Sequence, residues 1–237
     1  MHKFGRIAFL IACVVFISCG DESSSPDPID FNTLCPTDAR GTFSDDRDGR
    51  EYAYTIIGDQ TWMAENLKYN LNYSTCYDSI SENCEKYGRL YVFQHMNYNL
   101  LGRVSESVFI WDSIYTLCPK GWRVPKVSDF EHLREQVQAD EFALISKEDG
   151  GNDLCGFNLK MAGEYKYRGY YENGNYFYGQ GEMTSLYTQT RNDYNAAYIQ
   201  TFDKEAEIPK PDEWEFIFDG YIEGNIRYMG YVRCVKE

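Results

Sequence analysis

The residues able to carry out chemistry are few, and their spacing does not bring them together. Histidines stand at positions 2, 95 and 132, and a serine or cysteine nucleophile needs an imidazole within hydrogen-bond reach. His132 falls on the polar flank of an amphipathic stretch, where a solvated side chain is a simpler reading than a general base. The sequence holds no G-x-S-x-G elbow, no H-E-x-x-H pair and no G-x-x-x-x-G-K-[ST] phosphate loop. Carboxylates are plentiful, 37 Asp and Glu against 23 Lys and Arg. That abundance is why no pair of them can be singled out as the acid and nucleophile of a glycosidase. No catalytic residue and no cofactor is expected.

The start of the chain carries a different chemistry. Lys3 and Arg6 precede the apolar run "IAFLIACVVFI" (7–17), and "FISC" ends on Cys19. A short charged segment, a short apolar run and a small residue before a cysteine are the pattern of a lipoprotein signal. Residues 1–18 would be removed and Cys19 lipidated. The polar stretch "GDESSSPDPID" that follows cannot bury apolar surface and reads as a tether over residues 19–39. The formal charge is −14, and removal of the signal takes away Lys3 and Arg6 but no carboxylate. So acidic a chain is repelled by phosphate backbones and anionic lipid. Nucleic acid is therefore excluded as a partner. With no second long apolar run, the membrane is reached through the lipid alone.

Six cysteines remain after Cys13 and Cys19: Cys35, Cys76, Cys84, Cys118, Cys155 and Cys234. An even set in an exported chain reads as disulfides, with every pairing open at this point. None of the six forms a C-x-x-C pair, so no zinc site is expected. "SDDRDGREY" and "KEDGGND" place carboxylates beside glycines as calcium loops do. The first has Thr55 where an EF-hand needs its last glutamate, and Asp48-Gly49 already reads as a turn. No metal site is nominated.

The elements follow from local pattern. "REYAYTII" alternates aromatic and β-branched residues between the turn signals Asp48-Gly49 and Gly58-Asp59, and "TWMAENL" continues as a second strand. Residues 74–88 form a polar loop containing Cys76 and Cys84. "RLYVFQHMNYNL" is expected to turn helical after Tyr91. In "CPKGWRVPKVSDFEHL" (118–133), Ser128 and Glu131 suggest a capping box opening a helix over about 129–138. Phe130, Leu133 and Val137 would face the core, and Pro125 bars an earlier start. From Leu154 onward the chain reads as strands and loops, dense in tyrosine. The whole is an α+β domain.

Four blocks, "DDRDGREYAYTIIGDQTWMAENLKYN", "TCYDSISENCEKYGRLYVF", "CPKGWRVPKVSDFEHL" and "YVRCVKE", resemble in order the Fibrobacter succinogenes major paralogous domain, over about residues 40–237. That family consists of exported, often lipid-anchored proteins without established catalysis. More distantly, "GWRVPKVSDFEHL" and "GYVRCV" are similar to segments of the sulfatase-modifying (formylglycine-generating) fold, a C-type-lectin-like architecture. The resemblance implies a disulfide-stapled single domain with few helices, short antiparallel strands and long loops. It implies Trp122 packed beneath the helix and Cys118 tied to Cys234. With it the expected bridges are Cys76–Cys84, Cys118–Cys234 and, from what is left, Cys35–Cys155. The reactive cysteine pair of the formylglycine enzyme and the E-P-N motif of lectins are both absent. The function implied is a non-catalytic binding module in the cell envelope, at the outer membrane and surface-exposed. Its partner would be a polysaccharide or another cell-surface protein. The alternatives are a structural or interaction protein and an enzyme of the formylglycine-generating fold. The region about Gly163–Gly181, read as a long loop, would carry the ligand surface through Tyr170, Tyr171, Tyr176 and Tyr178.

The lipid anchor gives a direct test. The Cys19→Ser chain should move from the detergent phase to the soluble fraction, and persistence in detergent would place the anchor elsewhere.

Overall fold

The computed structural model of the protein describes residues 28–72, 74–91, 94–98, 104–109, 116–168, 175–191, 197–203, 215–216 and 226–237. In chain order the elements are α1 (Phe31–Leu34), β1 (Gly41–Ser44), β2 (Glu51–Ile57), β3 (Gln60–Met63), β4 (Ser74–Thr75), α2 (Ser81–Tyr87), β5 (Leu90–Tyr91), β6 (Gln94–Tyr98) and β7 (Val104–Phe109). There follow β8 (Trp122–Arg123), α3 (Val127–Gln136), β9 (Ala162–Arg168), β10 (Asn175–Gln180) and β11 (Met183–Arg191). The last are β12 (Ala197–Asp203), β13 (Glu215–Phe216), β14 (Ile226–Met229) and β15 (Val235–Lys236). Few helices, mostly antiparallel sheets and three disulfides make this an α+β fold.

One sheet runs β1-β2-β3-β15-β8, antiparallel throughout. Another runs β10-β9-β11-β12-β13, with β14 also paired to β9. The first sheet is a partition, because successive side chains on a strand point to opposite faces. Trp62 joins one buried cluster and its neighbour Met63 the other. Tyr231 and Val235 lie in the first cluster, with Val232 and Cys234 in the second. Both faces are thus covered, which is why "REYAYTII" carries apolar groups at both parities.

The turn signals are used as read. At Gly49 the backbone is left-handed (φ 72°), and its N–H donates to the Asp45 carbonyl at 2.8 Å. The Asp45 carboxylate, wholly buried, takes the backbone N–H and the guanidinium of Arg47, whose Nη1 reaches on to the Leu117 carbonyl at 2.7 Å. In "KEDGGND", Asp149 accepts from the Ser146 hydroxyl and Asp153 from the Asn158 N–H. In both acidic loops these carboxylates are committed to the fold. No group of metal-ligating side chains occurs among the described residues.

Several expectations change. Residues 81–87, read as part of a polar loop, form α2. Residues 94–98, expected to be helical, form strand β6 paired with β7; the cross-strand pairing decides where the local pattern is ambiguous. The helix begins at Val127 rather than 129, because the capping carboxylate is Asp129, not Glu131. Asp129 accepts the Lys126 N–H at 2.5 Å and is gripped by both Nη atoms of Arg123, at 2.6 and 2.8 Å. Phe130, Leu133 and Val137 are buried as the pattern requires. Trp122 does not lie beneath that helix but stacks on Phe43 at 4.3 Å in the other cluster. Trp62 is the indole under the helix, 5.1 Å from Phe130. Finally, residues 31–39, expected within the tether, fold onto the body: Phe31 and Leu34 pack on the first cluster and Cys35 is buried.

The bridges are Cys35–Cys155, Cys76–Cys84 and Cys118–Cys234, the pairs the resemblance implied. Cys35 and Cys155 sit in one apolar cluster and Cys118 and Cys234 in the other, so each face of the partition has a staple. The Cys118–Cys234 bridge joins positions 116 apart and Cys76–Cys84 positions 8 apart. On the loop-entropy picture the longer bridge should stabilise the chain by about 2 kcal/mol more than the shorter. Urea unfolding of Cys118→Ala/Cys234→Ala beside Cys76→Ala/Cys84→Ala checks this. Equal losses would contradict it.

Candidate functional site

The tyrosine-rich span is a hairpin rather than a loop. Strands β9 and β10 pair with Tyr165 opposite Phe177 and Glu164 opposite Tyr178. The rings of Tyr165 and Phe177 meet at a tilt, 4.9 Å apart, and pack against the first cluster, so part of the aromatic content is core packing at the period of a strand. Of the proposed contact residues, Tyr178 is half-buried and its hydroxyl donates to Glu164. Tyr176 lies on β10 opposite Lys166, its side chain outside the described residues, while Tyr170 and Tyr171 lie outside them altogether. So does Cys19. His132 is a surface residue, its Nε2 2.7 Å from Asp59. His95 lies on β6, backbone only.

The concavity with convergent polar groups lies elsewhere. A cleft of about 570 Å³ opens between the start of β1, the end of the β2–β3 hairpin, α2 and the segment 153–160. Its inner wall is Arg233, wholly buried beside the last strand. The Arg233 Nε donates to Asn66 Oδ1 at 3.0 Å, its Nη groups reach the carbonyls of Phe157 and Asn158, and its guanidinium lies 4.5 Å over the Phe157 ring. Asn66 is oriented in turn, since its Nδ2 donates to the Tyr87 carbonyl at 2.8 Å. Close backbone approach holds this wall together. Gly88 (φ 87°) passes so near that a Cβ there would lie 2.6 Å from the Asn66 Cβ.

Arg40 flanks the same segment from outside. Its Nη2 donates to the Leu154 carbonyl at 2.7 Å, and its guanidinium lies on Gly156, where a Cβ would come within 2.6 Å. The buried Arg40 Nε has no partner among the described residues. Among those residues neither Arg40 nor Arg233 forms an ion pair. Burial pulls the Arg233 guanidinium down to about 9, with Glu65 and Asp153 only partly opposing it. Burial likewise raises the Asp153 carboxyl. The mouth is ionic: Glu65 holds Lys68 at 2.6 Å, and Glu148 holds both Lys86 at 2.5 Å and Lys160 at 2.8 Å. Those two ammonium groups keep the exposed Glu148 carboxyl at about 2.

Sequence reading missed this site, though one signal was present. In "YVRCV" the arginine falls at the parity of Tyr231 and Val235, an inward position for a strand. Arg233→Met should leave Asn66 Oδ1 and two carbonyls without donors. Leaving buried acceptors unsatisfied costs about 1–3 kcal/mol each, so thermal unfolding should show a drop of several degrees. An unchanged melting temperature would mean the guanidinium is not structural.

The cleft contains amides, guanidinia, ammonium groups, two tyrosines and the carboxylates of Glu65, Glu85 and Asp153, and no His, Ser, Thr or Cys lines it. It can hydrogen-bond a polar ligand and neutralise charge. No curated protein and no solved structure matches the chain. The family model of the Fibrobacter succinogenes major domain matches residues 56–236, from within β2 to β15 and so through α3 and the Arg233 wall. The chain belongs to the Fibrobacter succinogenes major domain family.

Proposed function

We propose that the protein is a non-catalytic binding module displayed on the cell envelope by a lipid on Cys19. Its cleft takes a carbohydrate or another envelope component. The observation that carries this is the composition of the cleft, whose fixed planar donors and acceptors suit a hydroxyl-rich ligand. A C-type-lectin-like, single-domain architecture belongs to the same reading. It is supported by the small helical content and by β1 and β15 belonging to one sheet, with β2 and β3 between them. Tyr170, Tyr171 and Tyr176 would add aromatic contact area, whereas the Tyr178 hydroxyl already serves Glu164.

A glycan array probed with the full chain tests the proposal. Binding to at least one glycan class is expected, with the bound glycan recovered intact. Shortened glycan would establish an enzyme instead. Retention of envelope proteins alone, with an empty array, would favour the interaction-protein alternative.

A further inference from the structure

Charge is distributed unevenly in this chain. Its formal charge is −14, yet the cleft gathers five cationic side chains against the carboxylates of Glu65, Glu85 and Asp153. Taken pair by pair, Lys68 is answered by Glu65, and Glu85 by Arg50 at 2.7 Å. Two groups are left with positive excess. Lys86 and Lys160 share the single carboxylate of Glu148. Arg40 and Arg233 have Asp153 nearby, but that carboxylate accepts from the Asn158 backbone at 2.7 Å and bonds neither guanidinium. The Arg40 Nε is buried against Gly156 and its Nη2 serves the Leu154 carbonyl, so the guanidinium keeps its charge without a carboxylate partner and Nη1 is the group left for a ligand.

We propose that the cleft binds an acidic saccharide through its carboxylates, one held at the Arg40 end and a second at the Lys86–Lys160 end. The inference rests on the carbohydrate-binding reading above and names the ligand class within it. A carboxylate accepts a charge-assisted hydrogen bond from a guanidinium or an ammonium group. The two excess charges belong to separate groups, and successive uronate units present separate single charges, unlike one compact phosphate. In an acidic chain, a local positive field also selects against neutral competitors and orients an anionic strand into the cleft.

The test is calorimetric titration of the full chain in detergent with a galacturonic acid trimer. The comparisons are an uncharged galactose trimer and inorganic phosphate. Binding of the uronate trimer alone is expected, weakening several-fold between low salt and about 0.5 M salt as the charges are screened. Arg40→Gln should weaken it about tenfold, the effect of losing one charge-assisted pair. Should Arg40→Gln fail to fold, Lys160→Gln carries the same expectation from the other end of the cleft. Equal binding of the neutral trimer overturns the acidic-ligand inference and leaves the carbohydrate-binding reading standing. Phosphate binding as tightly as the trimer also overturns it. No binding of any probe, together with an empty glycan array, overturns both.

Discussion

A guanidinium taken out of water must find acceptors for its N–H groups and some compensation for its charge. Arg233 finds them in an amide, two backbone carbonyls and an aromatic face, and those partners come from two distant parts of the chain. Asn66 follows the β2–β3 hairpin and is itself tied to the end of α2. Phe157 and Asn158 belong to the segment that Cys155 bolts to Cys35. The requirement to solvate one cation internally therefore fixes the mutual placement of hairpin, helix and loop, and the cleft is the space left between them. Such a cation is weak evidence of stability in itself. Its effect is to make one arrangement of those segments far better than any other.

The partition sheet distributes the remaining work. Its two faces support separate aromatic clusters, Trp62 with Phe130 and Phe157 on one and Trp122 with Phe43 on the other. Each cluster contains a disulfide. Neither staple can be lost without loosening one face while the other stays packed, so the two faces are semi-independent units joined by strands they share.

Much of this was legible in the sequence where the cause is local. The turns at Asp48-Gly49 and Gly58-Asp59, the inward face of Phe130, Leu133 and Val137, and the β character after Leu154 depend on neighbours a few positions away. The errors arose where distant groups decide. Asp129 caps its helix because Arg123 holds the carboxylate in place. Residues 94–98 are a strand because β7 lies beside them. Which tryptophan lies beneath the helix depends on the parity of a sheet whose members come from four regions of the chain. The cleft could not be read at all, since Arg40, Asn66, Lys86 and Arg233 are individually ordinary and meet only after folding. The arginine in an inward strand position was the one trace it left.

The place of β15 has a consequence for how the molecule comes into being. The strand lies between β3 and β8, and Gly230 and Tyr231 just before it bridge to Tyr91 and Leu186. Until they arrive, the first sheet is two unconnected pieces, Cys118 has no mate, and Asn66 has no guanidinium to hold. In a chain made from its N-terminus onward, closure of the first sheet and of the Cys118–Cys234 bridge therefore waits for β15, and non-local pairings of this kind are slow to form.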